Sequence, residues 1–266
     1  MAAARKPPPT PLRLDQALFD RGLFASREQA RRAVMAGSVE VDGRRGDKPG
    51  TAVGAAAVLS VAGPREPFVS RAGRKLAGAL DDFGLDPAGT VALDVGASTG
   101  GFTDCLLQRG AARVYAIDVG WGQLDARLRA DPRVVVLERT NARHLEPKDL
   151  PEQGNFAVID VSFISLAKVV PALVPLLRPG SPIVALIKPQ FEAGRGAVGK
   201  GGILRDEGVR ARAIERTLDG LAALGLKVRG SCDSQVAGVG GNREAFGWFE
   251  TPFEPRGEVP TREESA

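Results

Sequence analysis

The chain has 266 residues, of which 43% are apolar and 26% are charged, as is typical of a folded globular protein. No apolar run approaches the roughly 18 residues that a membrane span needs, and the opening MAAARKPPPTP lacks the apolar stretch of a secretory signal, so we expect a cytoplasmic protein. One histidine and two distant cysteines, Cys105 and Cys232, exclude a structural zinc site, and we expect no metal.

The net charge of +4 is concentrated at one end of the chain. Residues 1–63 hold 10 basic and 6 acidic side chains, whereas residues 64–266 hold 26 of each. We interpret residues 1–11 as a disordered basic arm, 12–62 as a small α+β domain, 63–68 as a linker, 69–251 as a second domain and 252–266 as an acidic flexible tail. A basic leading domain favours a polyanionic partner.

The small domain is predicted to contain two short helices and a small sheet. RLDQALFDRGL has near-helical apolar spacing and ends at Gly22, and SREQARRAVMAG begins with the capping-box pair Ser26 and Gln29. SVEVDG then alternates as a strand does and closes on an Asp-Gly turn.

The stretch 13–44 resembles the small RNA-binding domain named after ribosomal protein S4. This resemblance implies that basic residues around the second helix contact RNA phosphates, which would involve Arg13, Arg27, Arg31 and Arg32. Arg27 and Arg31 are four residues apart and therefore share a helical face. A solvated helix surface is the alternative interpretation.

The second domain alternates apolar strands with helices. Strands are predicted at 91–96, 113–119, 133–139, 156–162 and 181–188, helices at 101–110, 166–177 and 205–225, and a final pair of strands at 227–234 and 243–250. This order indicates a doubly wound, Rossmann-like α/β fold with a seven-stranded mixed sheet.

A glycine turn, LDVGASTGGFTDCLL, links the first of these strands to a helix. Gly96, Gly100 and Gly101 lie where the backbone would approach a ligand, but the turn is neither G-x-G-x-x-G nor a phosphate loop. Asp94 before the turn is unsuited to a pyrophosphate and favours a cationic ligand. S-adenosylmethionine, which has an ammonium and a sulfonium and no phosphate, fits this pattern.

The next two strands end in polar residues that suit a nucleoside. Asp118 lies 24 residues after Asp94, a spacing at which an acid accepts hydrogen bonds from ribose hydroxyls, and Asn141 lies where an adenine edge would reach. A tight turn in an unrelated sheet is the alternative for the glycines alone. The predicted cofactor-binding residues are Asp94, Gly96, Ser98, Thr99, Gly100, Gly101, Phe102, Asp118, Val119, Asn141 and Ala142.

Two lysines and two acids lie within or at the ends of apolar segments, where a charged side chain is unexpected. Asp160 ends FAVID, Lys188 ends PIVALIK, Lys75 lies in SRAGRKLAGAL, and Glu244 opens EAFGWF. Ligands bind outside the carboxyl ends of strands in open α/β sheets, which is where Asp160 and Lys188 fall. Four unrelated surface ion pairs are the alternative.

Six segments of the second domain are similar to the TlyA family, FtsJ-like methyltransferases of ribosomal RNA ribose that were historically labelled haemolysins. These segments are FVSRAGRKL, LDVGASTGGFT, DVGWGQL, DVSFISL, KPQFEAGRGAVGKGGILRD and GNREAFGW. The resemblance implies a catalytic tetrad of Lys75, Asp160, Lys188 and Glu244. It also implies 2′-O-methylation of ribosomal RNA, with cytidine as the expected nucleoside and ribosomal subunits as partners.

The tetrad chemistry is consistent with these residue types. A ribose hydroxyl needs a base, and Lys188 can serve only in its neutral form, which partial burial and the like charge of Lys75 favour. Around this site we expect Arg71, Arg74, Arg195 and Lys200 to bind RNA phosphates. A membrane-active haemolysin and a non-catalytic RNA-binding assembly factor are the alternative functions.

Overall fold

The computed structural model describes residues 11–35, 37–46, 48–61, 67–194, 198–199 and 201–253, which divide into two compact units, Met1–Arg65 and Glu66–Ala266. Nearly all of the predicted basic arm, residues 63–66 of the predicted linker and residues 254–266 of the predicted tail lie outside the described residues.

In its described residues the first unit contains two helices and two small antiparallel sheets. Its elements are β1 (Leu12–Arg13), α1 (Leu14–Asp20), α2 (Arg27–Met35), β2 (Val39–Val41), β3 (Arg44–Arg45), β4 (Ala52–Val53) and β5 (Leu59–Val61). The sheets have the orders β3-β2-β5 and β1-β4. The apolar faces of α1 and α2 close over a small core that includes Leu14, Leu18, Val34 and Val39.

Local sequence explains how the elements of the first unit begin and turn. The Ser26 hydroxyl accepts a 3.2 Å hydrogen bond from the Gln29 N–H and so caps α2, as the sequence predicts. Asp42 and Gly43 have φ angles of 51° and 74°, which are the two positive values that a tight turn between β2 and β3 requires.

The second unit contains seven strands and six α-helices within the described part of the chain. Its elements are α3 (Arg71–Phe83), β6 (Val91–Val95), α4 (Gly101–Gln108), β7 (Arg113–Ile117), α5 (Ala126–Arg129), β8 (Val134–Leu137), β9 (Phe156–Ile159), α6 (Val170–Leu173), β10 (Pro182–Ile187), α7 (Pro189–Glu192), α8 (Glu207–Ala223), β11 (Lys227–Asp233) and β12 (Ala245–Glu250).

The seven strands form one mixed sheet in the order β11-β12-β10-β9-β6-β7-β8. The five strands β6 to β10 are parallel, and β12 pairs antiparallel with both β10 and β11. Alternate residues of a strand enter different cores: Leu93 and Val95 pack on one face, and Ala92 packs on the other. The predicted doubly wound, seven-stranded mixed sheet is thus confirmed.

The segment 166–177, predicted as one helix, is instead three short pieces. A 3₁₀ turn at Leu166–Lys168 is followed by α6 and by a second 3₁₀ turn at Val174–Leu176. Pro171 and Pro175 cause the interruption, because neither has an N–H to donate to the preceding turn. The apolar residues of the segment still reach the core, since Val170 and Leu173 are fully buried.

None of the helices in the described ranges has both the length and the apolar character that crossing a membrane would demand.

Candidate active site

The four predicted tetrad residues form two ion pairs. Lys75 Nζ lies 2.6 Å from Glu244 Oε2, and Lys188 Nζ lies 2.5 Å from Asp160 Oδ1. Both lysine side chains are only 11% exposed, and Glu244 is almost completely buried. Charges this far from water persist only when each is paired, so the pairs account for the polar residues that the sequence places at apolar strand ends.

The sheet register explains how distant residues meet. Ile187 pairs with Ala245, so Lys188 and Glu244 are the next residues along two neighbouring antiparallel strands. Asp160 follows β9, which pairs with β10 on its other side. Lys75 comes from α3 and reaches Glu244 across 169 residues of sequence. The site is therefore built at the carboxyl ends of β9 and β10.

Two small groups complete the surroundings of the ion pairs. Ser162 Oγ accepts a 2.8 Å hydrogen bond from Lys188 Nζ, so this lysine is held by a hydroxyl as well as by Asp160. A Cβ atom at Gly238 would lie 2.1 Å from Glu244 Oε1, which means that only glycine leaves room for this carboxylate. The sequence analysis identified neither residue.

Asp94 lies at the centre of the sheet and is fully buried. Its Oδ2 accepts a 2.6 Å hydrogen bond from the Thr103 hydroxyl, while Oδ1 has no hydrogen-bond partner in the described part of the chain. Burial, partly opposed by the Thr103 hydrogen bond, raises the pKa of Asp94 to about 7, and the nearby Asp160 carboxylate adds to the rise.

The glycine turn between β6 and α4 packs against the residue that follows β9, Asp160. Gly96 has φ +88°, and a Cβ there would lie 2.4 Å from the Asp160 carbonyl oxygen. Gly100 and Gly101 are equally constrained, since a Cβ would lie 2.3 Å from Leu128 Cδ1 in the first case and 2.3 Å from Ser70 Oγ in the second. Close packing against other atoms of the protein therefore accounts for glycine at these three positions.

Asp118 follows β7, and backbone groups hold both of its carboxylate oxygens. The Ser98 N–H donates to Oδ2 at 2.8 Å, and the Gly120 N–H donates to Oδ1 at 2.6 Å. The carboxylate thus connects the glycine turn with the loop that follows β7. Carboxylate oxygens have further lone pairs, so Asp118 retains the capacity to accept from ribose hydroxyls.

The remaining predicted cofactor residues have varied environments. Ser98, Thr99 and Val119 are exposed, whereas Ala142 is buried. Phe102 is buried and packs against Phe246 with ring centroids 6.1 Å apart, so its side chain belongs to the core. Asn141 accepts a 3.1 Å hydrogen bond from the Arg143 N–H and caps a 3₁₀ turn.

Glu138, which the sequence analysis missed, supports the loop beside Asp118. Its Oε1 accepts a 2.9 Å hydrogen bond from the Gly122 N–H and lies 2.5 Å from Arg129 Nη2. On the same loop Trp121 is 69% exposed, with the Arg139 guanidinium carbon 5.1 Å from its ring centroid. This indole is therefore outside the core and accessible to a planar ligand.

The donors and acceptors around the glycine turn fit S-adenosylmethionine. The segment 94–101 contains the hydroxyls of Ser98 and Thr99, and its one ionisable group is the carboxyl of Asp94, an acid that disfavours a pyrophosphate. Asp118 has free acceptor capacity that suits a ribose diol, and Asp94 Oδ1 is a buried acceptor with no hydrogen-bond partner among the described residues. Methyl transfer from a sulfonium needs no phosphate site.

The predicted RNA-binding arginines fall into three groups. Arg13 and Arg27 both contact Asp15, at 3.1 and 3.2 Å, while Arg31 and Arg32 are exposed on α2. At the start of α3, Arg71 donates to the Ala237 carbonyl at 2.6 Å, and Arg74 is exposed and interacts with other groups of the protein. Arg195 and Lys200 lie outside the described residues.

Phe163 is a further candidate that sequence reasoning did not single out. It follows Asp160 by three residues, is 89% exposed and has a φ of +64°, which is strained for a bulky side chain. Its ring lies 4.9 Å from that of Phe191, which follows Lys188 by three residues. An aromatic pair, of which Phe163 is exposed and Phe191 partly buried, thus borders the Lys188 and Asp160 side of the site.

Comparison with known proteins identifies both units. Residues 68–251 match the FtsJ-like methyltransferase family, and residues 12–59 match the S4 domain. The chain is 49% identical over 240 residues to the 16S/23S rRNA (cytidine-2′-O)-methyltransferase TlyA of Mycobacterium tuberculosis, covering 90% of each chain. It is 39% identical over 239 residues to Hemolysin A of Brachyspira hyodysenteriae, covering 90% of this chain and 99% of that one.

Solved structures agree with this assignment. A Streptococcus thermophilus protein that carries a hemolysin name superimposes with a TM-score of 0.73 at 43% identity, covering 95% of this chain and 92% of that one. The chain belongs to the FtsJ-like methyltransferase family, carries an S4 domain before its catalytic domain, and is an S-adenosylmethionine-dependent methyltransferase.

Proposed function

We propose that this protein transfers a methyl group from S-adenosylmethionine to a ribose 2′-hydroxyl of ribosomal RNA, with cytidine as the nucleoside and ribosomal subunits in the cytoplasm as substrates. The observation that carries this proposal is the pair of shielded lysine–carboxylate contacts beside the glycine turn. The M. tuberculosis relative, named as a 16S/23S rRNA cytidine-2′-O-methyltransferase, supports the choice of substrate.

Lys188 acts as the general base in this proposal. S-adenosylmethionine, when bound, supplies an electrophilic methyl group on a sulfonium, whose sulfur keeps the bonding electrons as the carbon–sulfur bond breaks. The 2′-oxygen forms the new bond to the methyl carbon, and its proton passes to the neutral amine of Lys188. The resulting ammonium is stabilised by Asp160, 2.5 Å away, in a poorly solvated site where such attraction is strong.

Lys75 and Glu244 position the other half of the tetrad. Glu244 is buried against Gly238 and fixes Lys75 at 2.6 Å, so the ammonium of Lys75 has a defined place beside the reaction centre. Lys75 is held by Glu244 rather than by Asp160, so in this proposal it positions the substrate and does not take its proton. Ser162 restricts the orientation of Lys188 through its 2.8 Å hydrogen bond.

Binding and chemistry are divided between the two domains. We assign RNA anchoring to residues 12–62, through Arg13, Arg27, Arg31 and Arg32, and methyl transfer to residues 69–251. Arg71, Arg74, Arg195 and Lys200 would contact RNA phosphates near the reacting ribose. The S4 domain match at residues 12–59 supports an RNA substrate.

The proposal can be tested by methyl transfer to defined ribosomal particles. Purified 30S and 50S subunits that lack the modification are incubated with the protein and S-adenosyl-[methyl-³H]methionine, and digested nucleosides are analysed by mass spectrometry. We expect label in 2′-O-methylcytidine with wild-type protein and none with Lys188→Ala. Label confined to nucleobases, or its absence from both subunits, would overturn the proposed reaction.

A further inference from the structure

Asp15 is a buried acid on the first unit that no catalytic assignment uses. It is 2% exposed at the beginning of α1, in a unit with a small apolar core. Burial of a carboxylate is costly unless charged or hydrogen-bonding partners replace the lost water. Replacing it with an apolar residue would avoid that cost, so the function of its charge needs an explanation.

The partners of Asp15 are two arginines from different elements. Arg13 in β1 donates to it through Nε and Nη2, at 3.1 and 3.2 Å, in a bidentate contact. Arg27, the first residue of α2, approaches the same carboxylate through Nε at 3.2 Å, and the Gln16 N–H donates to Oδ1 at 3.0 Å. One carboxylate therefore fixes two guanidinium groups that the chain separates by 14 positions.

Asp15 holds the two arginines, but both remain accessible to solvent. Their side chains are 55% and 50% exposed, although the acid between them is 3% exposed. A guanidinium has five N–H donors, of which Asp15 takes two from Arg13 and one from Arg27. N–H donors therefore remain on both guanidinium groups. An anion that approaches from solvent would contact the two exposed cations, whereas Asp15 is buried.

We propose that Asp15 is a positioning residue for RNA binding, a buried carboxylate that presents Arg13 and Arg27 to phosphates at a fixed separation. This inference rests on the proposed anchoring function of the first domain. Arginine side chains normally lose conformational freedom when they bind, and Asp15 removes much of that freedom in advance. Arg31 and Arg32, by contrast, make no ion pair within the described ranges.

The sign of a charge substitution separates this role from simple electrostatics. Any loss of negative charge near a phosphate-binding surface should strengthen RNA binding if charge alone matters. If Asp15 positions the arginines, Asp15→Asn should weaken binding although it makes the domain more positive. Asp20, exposed on the same helix and hydrogen-bonded to Gln16 Nε2, provides the matched control Asp20→Asn.

The experiment measures the dissociation constants of unmodified ribosomal subunits for the full-length variants at two potassium chloride concentrations. We expect Asp15→Asn to weaken binding about fivefold or more, since ordering of two arginines is lost, and Asp20→Asn to leave binding unchanged or tighter. Circular dichroism and thermal unfolding establish that both variants are folded. Unchanged or tighter binding by folded Asp15→Asn would overturn the proposal.

A second comparison does not require replacement of the buried acid. Arg27→Lys keeps the charge but replaces the planar group, whereas Arg31→Lys makes the same exchange at an unclamped position. We expect a loss of about threefold or more for Arg27→Lys and a smaller loss for Arg31→Lys, because only the first arginine is held by a specific geometry. Equal effects would contradict the positioning role.

The double variant Arg13→Ala/Arg27→Ala distinguishes failure of this inference from failure of the anchoring function. If the arginines bind RNA, the double variant weakens binding, and adding Asp15→Asn to it has no further effect. If the double variant binds RNA as tightly as wild type, this surface does not anchor RNA, and the proposed anchoring function of the first domain fails. A weakened double variant with an unaffected Asp15→Asn would refute the role of Asp15 alone.

Discussion

The two units of this protein use the same chemical contact, a carboxylate with a basic side chain, in opposite ways. In the first unit Asp15 is buried and its two arginines are half exposed. At the carboxyl ends of β9 and β10, by contrast, both lysines are largely buried together with their acids. A cation that binds phosphate must face solvent, and one that exchanges a proton with a substrate works best away from it. We therefore expect the exposure of the cation to distinguish the proposed RNA-binding residues from the proposed catalytic ones.

Two buried aspartates extend the comparison. The hydrogen bond from Arg13 is the main influence that holds the pKa of Asp15 below its usual value, assisted by Arg27. Burial raises the pKa of Asp94 to about 7; among the described residues this acid has the Thr103 hydroxyl and nearby carboxylates, but no basic side chain, as neighbours. Basic partners thus lower the pKa of Asp15, whereas burial raises that of Asp94.

The largest expected effect comes from removing the shielded base. Lys188→Ala should lower the rate of methyl transfer at saturating substrates by about 10²–10⁴-fold, the range of a general base, with S-adenosylmethionine affinity retained. Single-turnover transfer of tritiated methyl groups measures this rate. Lys168→Ala, at an exposed lysine in a 3₁₀ turn, is the control and should behave as wild type. Wild-type turnover by Lys188→Ala would exclude this residue as the base.

A second large effect is expected at the cofactor turn. Asp118→Ala removes the acceptor for the ribose hydroxyls and also the link between the Ser98 and Gly120 N–H groups, so S-adenosylmethionine should bind about thirtyfold more weakly, or about 2 kcal/mol. Isothermal titration calorimetry measures the affinity. Asp131→Ala should leave the affinity unchanged, because Asp131 precedes the amino end of β8 whereas Asp118 follows the carboxyl end of β7. Equal affinities for the two variants would remove Asp118 from the cofactor site.

Phe163 tests whether exposed aromatic groups also serve binding. Phe163→Ala should raise the KM for ribosomal subunits about tenfold, because stacking of a base on an aromatic ring contributes about 1–3 kcal/mol, and Phe163→Trp should restore binding. Phe253→Ala is the control, since this ring is also exposed but packs near Gly180 at the other end of β10. Steady-state kinetics with varied subunit concentration measure the KM of each variant. Equal KM values for Phe163→Ala and Phe253→Ala would argue against stacking.

A different kind of effect concerns the pH dependence of stability. Because the pKa of Asp94 is raised from 3.8 to about 7, the folded state retains a proton that the unfolded state releases, so this group destabilises the fold progressively as pH rises from about 4 to 7. Asp94→Asn lacks that penalty and should gain stability relative to wild type between pH 5 and pH 8. Urea unfolding at both pH values measures the difference, and a pH-independent difference would show that Asp94 does not titrate in this range.

Sequence patterns predicted the central strands β6, β7, β9 and β10 well because their apolar runs are buried on both faces and end in polar residues. The helix predicted at 166–177 was wrong in detail, since apolar spacing outweighed Pro171 and Pro175 in the interpretation. Glu138 and Ser162 were missed for a different reason. Polar residues in loops carry no periodic signal, and only the contacts of Glu138 with Gly122 and of Ser162 with Lys188 indicate what they do.

The sequence by itself determined the order of the seven strands in the second domain, the glycine turn and the identity of the acids and lysines at strand ends, because these depend on local spacing and on the cost of burying charge. Only the tertiary structure decided which charges meet. Lys75 finds Glu244 because β12 inserts beside β10, and Asp15 joins Arg13 to Arg27 because α1 and α2 pack together. Such pairings follow from strand order and helix packing, which are set by the whole core rather than by neighbours in sequence.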